Sequence, residues 1–370
     1  MPEPACRFCR GRSGTVVLDL GDQPACDYFP RRDDPGPDPA YPLQMWLCAG
    51  CGLAQLVADP TVPEEPRGAE PAALVAQAVS AVARVAAAGL LPAGARVAEY
   101  GSPHGGSWLP LLAGRGLSPV RDGEPADVVL DCFGLMHSAD QHAALAERAA
   151  RVSPGGTLLL QYHSLGGIVR HGQWNALRHG HYAYYSTPAL AGMLGRFGFR
   201  PELAWQFELY GGTVLLAASR DGAPGGPADG SVAALLATEA QAGVRDPVVL
   251  SGLQRDTEAR AKAIHDWLVS ERAAGRAVVG YGAASRAVAL LRRADVDAAL
   301  LPVVLDASPA KQGLRMPGTG IPVASPEQLA RFQPDSVLLF LSDLMGEVRD
   351  AYPGVEGAGG RWVDADTLGG

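Results

Sequence analysis

The sequence predicts an α/β chain in three parts: a small cysteine-rich module, followed by two Rossmann-like domains in which strands and helices alternate. Three observations support this prediction: paired cysteines near the N-terminus, and two separate runs of strand, glycine turn and helix. The predicted parts are residues 1–60, 72–220 and 231–370. The intervening stretches are rich in Pro, Gly and acidic residues, which is typical of linkers.

The first part holds two short strand-like runs, Thr15–Leu18 and Met45–Leu47, and little other apolar material. A segment with so small a core needs a cross-link in order to fold. After the linker that starts at Asp59, the Ala- and Val-rich run Ala72–Ala88 has the apolar spacing and length of a helix. We expect this helix to open the second part.

The second part then alternates strands and helices, which is typical of a parallel, doubly wound sheet. Its first strand, Arg96–Tyr100, leads into a glycine turn and a helix at Trp108–Ala113. Further strands are predicted at residues 127–130, 156–161 and 210–218, with a helix at residues 139–151.

The third part repeats this alternation and is therefore predicted to be a second Rossmann-like domain. A long helix leads into a strand, a glycine turn and another helix. Its predicted elements are helices at residues 253–274 and 285–293, and strands at residues 277–281, 301–305 and 336–341.

The composition narrows the class of ligand. The formal net charge is -8, whereas a protein that binds nucleic acid or an anionic membrane surface generally carries an excess of Lys and Arg. We therefore expect small-molecule substrates, with no nucleic-acid and no membrane partner. No signal region and no apolar run of membrane-spanning length is found, so the expected location is cytoplasmic.

Two Cys-x-x-Cys pairs lie in the small first part, Cys6/Cys9 and Cys48/Cys51. Four thiolates with this spacing can close a tetrahedron around zinc and leave no open position, so we expect a structural zinc site. The alternative is that these are four unrelated thiols. Cys26 and Cys132 are expected to carry no metal.

The first glycine turn ends a strand and opens a helix, so its backbone can approach a ligand closely and the helix N-terminus can face it. An acid about twenty residues further on is the usual partner of a ribose. The alternative is a simple tight turn followed by a solvated loop. The candidate contacts to a nucleoside cofactor are Glu99, Gly101, Ser102, Gly105 and Asp122.

Several motifs together resemble the zinc-containing nucleotide-sugar C-methyltransferases, over almost the whole chain. They are the four cysteines with Leu20–Pro24 between them, the turn Glu99–Gly105, which resembles E-x-G-S-N-D-G, and His179–Ser186, which resembles H-E-H-x-x-Y-[FY]-S. The most specific are the C-terminal runs Gly280–Ala283, Lys311–Gly313, Met316–Thr319, Ile321–Pro322 and Ser325–Glu327.

This resemblance implies a class I methyltransferase-like Rossmann domain that binds S-adenosylmethionine. It also implies C-methylation beside the ketone of a TDP-linked 4-keto sugar, in deoxysugar or antibiotic biosynthesis. His181 matches the family's base, and His137 or His179 would supply a hydrogen-bond donor to the enolate. Arg178 would add a cation that the family lacks and that favours a carboxylate, phosphate or enolate.

The departures from the family fall near this chemistry. Pro103 and His104 replace an Asn-Asp pair, and a helix and strand of the family are absent between Asp122 and Asp127. The cofactor pocket is therefore expected to have fewer protein contacts on the adenine side. Phe133 replaces an asparagine, while Arg178 and Gly180 replace a tyrosine and a glutamate.

Three functions remain open at this point. The first is a methyltransferase of the family type. The second is a methyltransferase fold that uses the His181 region for isomerisation, elimination or cyclisation without methylation. The third is an inert partner that binds a nucleotide sugar or a protein. The non-functional alternative is that His179 and His181 lie in a plain surface loop and that His137 is an ordinary polar residue.

Overall fold

Three β-sheets organise the chain in the computed structural model, which describes residues 4–61, 72–102, 106–220 and 229–368. The first sheet is antiparallel, the second is mixed and the third is parallel. The predicted fold class, a small module followed by two Rossmann-like α/β domains, is confirmed.

The N-terminal module contributes two long strands and a short one to a four-stranded sheet. Its first strand has two register shifts and buries Val17, Leu18 and Leu20, which pack in one core cluster with Val288 and Leu291 of the third domain. This shared core compensates for the scarcity of apolar residues in the module. The strands are β1 (Gly14–Pro24), β2 (Ala40–Cys48) and β3 (Ala54–Leu56).

The second domain begins with helix α1 (Ala72–Ala87) and contains a six-stranded sheet. Its elements are β4 (Arg96–Gly101), α2 (Leu109–Ala113), β5 (Ser118–Pro119), β6 (Ala126–Cys132), α3 (Gln141–Arg151), β7 (Val152–His163), α4 (Leu165–Arg170), β8 (Ala183–Tyr184), α5 (Thr187–Gly195), β9 (Phe199–Phe207) and β10 (Thr213–Arg220).

The strand order of this sheet is β5-β4-β6-β7-β10-β9. The four strands β5, β4, β6 and β7 are parallel, and β10 runs antiparallel to both of its neighbours. The sheet ends at the two-residue strand β5, in agreement with the loss of a strand expected after Asp122. The short loop 120–125 leads directly from β5 to β6.

Strand β8 leaves its own domain and completes the N-terminal sheet. It pairs antiparallel with β3, with Ala54 opposite Tyr184 and Gln55 opposite Ala183. The segment just before β8 carries the predicted histidine motif, so the N-terminal sheet positions one end of that segment.

The predicted third part begins with helices and ends in a parallel sheet of order β13-β12-β11-β14-β15. Its first helix packs on the second domain: Leu235 lies in the core cluster of that domain, and the Glu239 carboxylate accepts a hydrogen bond from the Thr187 N–H at 2.6 Å. Its elements are α6 (Ser231–Gln241), α7 (Pro247–Leu250), α8 (Gly252–Ala273), β11 (Val278–Tyr281), α9 (Ser285–Arg293), β12 (Val304–Leu305), β13 (Val323–Ala324), α10 (Leu329–Phe332), β14 (Ser336–Leu339), α11 (Met345–Ala351), α12 (Gly354–Gly357) and β15 (Arg361–Asp364).

Local sequence signals explain where several helices begin. The Asp140 carboxylate accepts a hydrogen bond from the Ala143 N–H at 3.0 Å, and the Ser164 hydroxyl accepts one from the Gly167 N–H at 3.2 Å. Such caps satisfy N–H groups that have no partner inside the helix. They fix the starts of α3 and α4, which flank strand β7.

One predicted strand differs from the structure. Residues 210–218 were expected to close the second sheet, but Tyr210 lies in a short 3-10 turn with φ of 58°, and strand β10 begins at Thr213. The strand β9 before it was not predicted. Its residues alternate only partly between buried and exposed positions, so the period-two signal is weak.

Among the residues that the structure describes, no helix combines the length and apolar character needed to cross a bilayer.

Candidate active site

The four cysteines of the N-terminal module form one cluster. Their sulfur atoms all lie within 4.8 Å of one another, with Cys6 Sγ 3.5 Å from Cys51 Sγ and Cys9 Sγ 3.6 Å from Cys48 Sγ. Four sulfurs bound to one zinc at about 2.3 Å would lie about 3.8 Å apart, so this set fits a tetrahedral zinc ion.

The backbone around the cluster forms two tight turns that direct the thiols inward. The Cys9 N–H donates to Cys6 Sγ at 3.4 Å, and Gly52, with φ of 76°, follows the second pair. The hydrogen bond between Cys51 and Cys6 lowers the pKa of the Cys6 thiol and raises that of the Cys51 thiol, because the two sulfurs share one proton. All four positions of the tetrahedron are filled by protein, so the site is structural.

The histidine motif lies in the loop between a short 3-10 turn and β8. Gly180 has φ of 81°, a conformation that favours glycine, and its N–H donates to the Asp59 carboxylate at 2.5 Å. The Tyr182 N–H donates to the Met136 carbonyl at 2.7 Å. The loop is therefore held from both the N-terminal module and the second domain.

His137 and His181 form a pair inside this loop region. Their ring centroids are 4.5 Å apart with the rings nearly perpendicular, and His137 Nδ1 lies 2.9 Å from the Gly180 carbonyl oxygen. Because a carbonyl only accepts, we assign the His137 proton to Nδ1. His137 follows β6 on a 3-10 turn, so the carboxyl end of the sheet positions it.

Arg178 contacts the base candidate directly. Its Nε and Nη2 lie 2.8 Å and 2.5 Å from His181 Nε2, and its Nη1 donates to the Ser285 hydroxyl at the start of α9. A guanidinium has donors only, so His181 Nε2 must be the acceptor and carries no proton. His181 is therefore held as a neutral imidazole whose Nε2 lone pair points at Arg178.

His179 faces the N-terminal module. Its Nε2 lies 3.4 Å from the Pro42 carbonyl oxygen, and its ring centroid is 6.1 Å from that of Tyr41. Burial lowers the pKa of the His179 imidazole, so it is neutral near pH 7. The structure thus brings His181, His137 and Arg178 together and places His179 against β2.

The glycine turn after β4 lies at the carboxyl edge of the second sheet. The Glu99 carboxylate accepts hydrogen bonds from the Trp108 N–H and the Ser107 hydroxyl, both at 2.6 Å, and so fixes the turn itself. Among the described residues, a side-chain carbon on Gly101 would meet only the Gly106 carbonyl oxygen within 4 Å, at 3.7 Å. That space leaves room for the close approach of a cofactor.

The other predicted cofactor contacts are less well defined. Asp122 lies exposed in the turn that follows β5, whose residues Ser118 and Pro119 pair with Arg96 and Val97 of β4. Ser102 ends the described part of the turn. Gly105, together with His104, falls outside the residues that the structure describes.

A cavity of about 250 Å³ lies between the second and third domains, where the carboxyl ends of β14 and β15 face Gly211. Open α/β sheets bind ligands at this edge. His163 Nε2 lies 3.2 Å from Gln173 Oε1, and His163 Nδ1 lies 3.4 Å from Arg286 Nη2. The residues lining the cavity include His171, Gln173, Arg286, Asp343 and Asp366.

The charges at this cavity are strongly influenced by burial. Burial lowers the pKa of His163, and the neighbouring Arg286 and Arg178 lower it further, so His163 is neutral at pH 7. Burial likewise raises the pKa of Asp343, whose carboxylate accepts from the Tyr210 N–H at 2.9 Å.

Sequence reasoning missed several residues that support the site. Asp59 was assigned to a linker, yet its carboxylate accepts a hydrogen bond from the Gly180 N–H. The available signal was the Asx turn that Asp59 forms with Thr61, whose N–H donates to Asp59 Oδ1 at 3.0 Å. Ser285 was noted only as the start of a helix. Its contact with Arg178 joins residues 107 positions apart, and no local pattern indicates such a contact.

A family model described as "C-methyltransferase C-terminal domain" matches residues 208–365. A second, described as "Putative zinc binding domain", matches residues 6–64 and includes all four clustered cysteines. Together the two matches cover more than half of the chain.

Among curated proteins, the chain is similar to C-methyltransferase NovU of Streptomyces niveus, with 26% identity over 98% of this chain and 95% of the relative. Among solved structures, it is similar to the magnesium protoporphyrin IX methyltransferase of Synechocystis PCC 6803 with bound SAH, at 18% identity, 40% of this chain, 84% of that chain and a TM-score of 0.30. Another similar structure is the 1,6-didemethyltoxoflavin-N1-methyltransferase of Burkholderia thailandensis, with 17% identity over 46% of this chain and 96% of that chain, and a TM-score of 0.27.

Proposed function

This chain belongs to the C-methyltransferase family, and from that premise we propose that it deprotonates a carbon next to a ketone with His181 and methylates that carbon. The observation that carries the proposal is the group formed by His181, His137 and Arg178. It combines a neutral imidazole, a second histidine at 4.5 Å and a fixed cation in one loop region.

His181 is suited to act as the base because its Nε2 carries a lone pair. In the proposed step, Nε2 takes the proton from the carbon, and the electrons of that bond move to the ketone oxygen to give an enolate. The positive charge of Arg178 acts through space on the developing negative charge of that oxygen and needs no direct hydrogen bond to it. The enolate carbon would be the nucleophile for the methyl group that bound S-adenosylmethionine would supply. The sulfur would keep the electron pair of the broken sulfur–methyl bond and leave as S-adenosylhomocysteine, and His181 would release its proton to solvent.

S-adenosylmethionine supplies an electrophilic methyl group when it is bound. The described residues that would hold it are Gly101, where the backbone leaves space, Ser102, and Asp122, whose exposed carboxylate could accept from a ribose. Glu99 would act indirectly, since its carboxylate oxygens already accept hydrogen bonds within the turn.

The proposed substrate is a keto compound of natural-product biosynthesis, such as a keto sugar linked to a nucleotide. The position of the cavity between the second and third domains, at the carboxyl edge of a Rossmann-like sheet, supports a nucleotide-bearing substrate, of which the 250 Å³ cavity would hold a part. The four-cysteine zinc site takes no part in the chemistry and stabilises the module that holds the histidine loop.

A second candidate is proton transfer without methylation. Two observations favour it: the second sheet ends at the two-residue strand β5, and Glu99 is occupied by the turn. Both leave fewer groups to hold an adenosyl cofactor than a longer sheet would offer.

The test is calorimetric titration of the zinc-loaded protein with S-adenosylmethionine and S-adenosylhomocysteine. We expect micromolar binding, weakened about 10-fold or more in Asp122→Asn by loss of a hydrogen bond to a charged group. The matched control is Asp350→Asn, an exposed carboxylate on α11, which should bind as the wild type does. Absence of binding by the wild-type protein would rule out methyl transfer and leave the second candidate.

A further inference from the structure

The side chain of Arg178 connects the base to the third domain. It donates to His181 Nε2 within its own loop and to the Ser285 hydroxyl at the N-terminus of the nine-residue helix α9. Ser285 is 8% exposed and His181 is also 8% exposed, so this guanidinium lies between two buried polar groups. The contact spans the boundary between the second and third domains.

A second arginine follows Ser285 in the chain. Arg286 points toward His163 Nδ1, at 3.4 Å, and its guanidinium carbon lies 5.6 Å from the centroid of the Tyr210 ring. Burial lowers the pKa of Arg286, and the positive charge of the nearby Arg178 lowers it further because the two cations repel each other.

In the part of the chain that the structure describes, neither arginine forms an ion pair with an acid. Among the described residues, no carboxylate lies within 4.0 Å of the Arg178 or Arg286 nitrogens, although ten other arginines form such pairs. Asp343 and Asp366 attract Arg286 from a greater distance, but Asp343 accepts from Tyr210 and Asp366 lies 3.7 Å from Arg260. Two partly buried cations beside a helix N-terminus favour an anion.

The contact with Arg178 also limits what His181 can do. While Arg178 donates to Nε2, the lone pair that must take a proton is already occupied. A neutral ketone is a weak competitor for a guanidinium, whereas a carboxylate or phosphate forms shorter and stronger bonds with it. An anionic group on the substrate would therefore draw Arg178 away and leave Nε2 available.

We propose that Arg178 and Arg286 bind an oxyanionic group of the substrate at the start of α9, and that this binding releases His181 Nε2 to act as the base. The inference rests on the proposed function and makes it more specific. The substrate class is a keto compound with a carboxylate or phosphate near the reacting carbon. Arg178 is then a specificity-determining residue that also positions the base.

The test uses zinc-loaded, full-length protein without any methyl donor, so its result is independent of S-adenosylmethionine binding. Inorganic phosphate and malonate are titrated separately by calorimetry. We expect saturable binding of at least one anion in the millimolar range or tighter. Tighter phosphate binding would indicate a phosphate group on the substrate, and tighter malonate binding a carboxylate.

Variants then locate the anion. Arg178→Gln and, independently, Arg286→Gln should each weaken binding about 10-fold or more, while Arg178→Lys should recover only part of it because an ammonium lacks the guanidinium fork. The matched control, Arg331→Gln, replaces an exposed arginine of α10 and should bind as the wild type does. If neither anion binds, or if the two Gln variants bind like the control, the proposal is wrong.

A second readout tests the release of the base. In protein labelled with ¹⁵N-histidine, the His181 Nε2 signal, assigned by its loss in His181→Asn, should move when the anion is added to the wild type. In Arg178→Gln, the signal should already be displaced without anion and should not move further. If an anion binds and the His181 Nε2 signal does not move, the proposed release of Nε2 is wrong.

Discussion

Replacing Arg148 tests whether a buried ion pair fixes the end of strand β6. Arg148 Nε lies 2.5 Å from Asp131 Oδ2, with side-chain exposures of 6% and 1%. The other Asp131 oxygen accepts from the Leu135 N–H at 2.9 Å, and Leu135 begins the turn that carries His137. The pair therefore lies one turn away from the candidate site.

We expect Arg148→Met to lower the free energy of unfolding by about 3–5 kcal/mol, because it leaves a carboxylate buried without its partner. Burial raises the pKa of Asp131 by more than Arg148 lowers it, so desolvation costs more than the pair returns. We therefore expect the double variant Asp131→Asn/Arg148→Met to be less destabilised than Arg148→Met alone.

Urea unfolding followed by circular dichroism, analysed as a double-mutant cycle, measures these differences. The matched control is Arg349→Met, which removes an exposed pair with Glu356 at 2.9 Å and should cost less than about 1 kcal/mol. A cost below 1 kcal/mol for Arg148→Met, or single costs that simply add, would refute the reasoning.

Three further predictions follow from the same structure. Removing zinc with a chelator, or replacing Cys48 by Ser, should lower the Tm and reduce amide-exchange protection at Tyr184 in β8, because the cluster stabilises the sheet that β8 joins; unchanged protection would contradict this. Burial holds the pKa of His163 in the folded protein below its value in the unfolded chain. As the pH drops below about 6.5, the unfolded chain therefore binds a proton that the folded protein does not, and the free energy of unfolding decreases. Lowering the pH from 7 to 5.5 should cost about 1 kcal/mol more in the wild type than in His163→Gln, measured by urea unfolding at each pH. Phe133 has φ of 61°, so Phe133→Asn should be about 1 kcal/mol more stable than Phe133→Ala, and equal stabilities would show that the conformation carries no strain.

The zinc cluster and the regular elements could be predicted from the sequence because their signals are local. The Cys6/Cys9 and Cys48/Cys51 spacings define two knuckles, and helix α1 was expected at residues 72–88 and found at Ala72–Ala87. The missing strand after Asp122 could also be predicted, since six residues between β5 and β6 cannot hold a helix and a strand.

The arrangement of the candidate site could be predicted only in part. The resemblance singled out Arg178, His179 and His181 by position, but the side-chain directions depend on the loop between Gly180 and β8. The left-handed backbone conformation of Gly180 directs the side chains on either side of it to different partners, so His179 contacts Pro42 while His181 contacts Arg178. Long-range contacts such as that of Arg178 with Ser285 arise from domain packing and leave no periodic signal in the sequence.

The pairing of β3 with β8 has a consequence for synthesis on the ribosome. Ala54 pairs with Tyr184, so the edge of β3 lacks its partner while 130 further residues are translated. At about 5–20 residues per second, that interval is on the order of ten seconds. An open strand edge can pair with other nascent chains, so early zinc loading would protect the emerging module from aggregation until its last strand arrives.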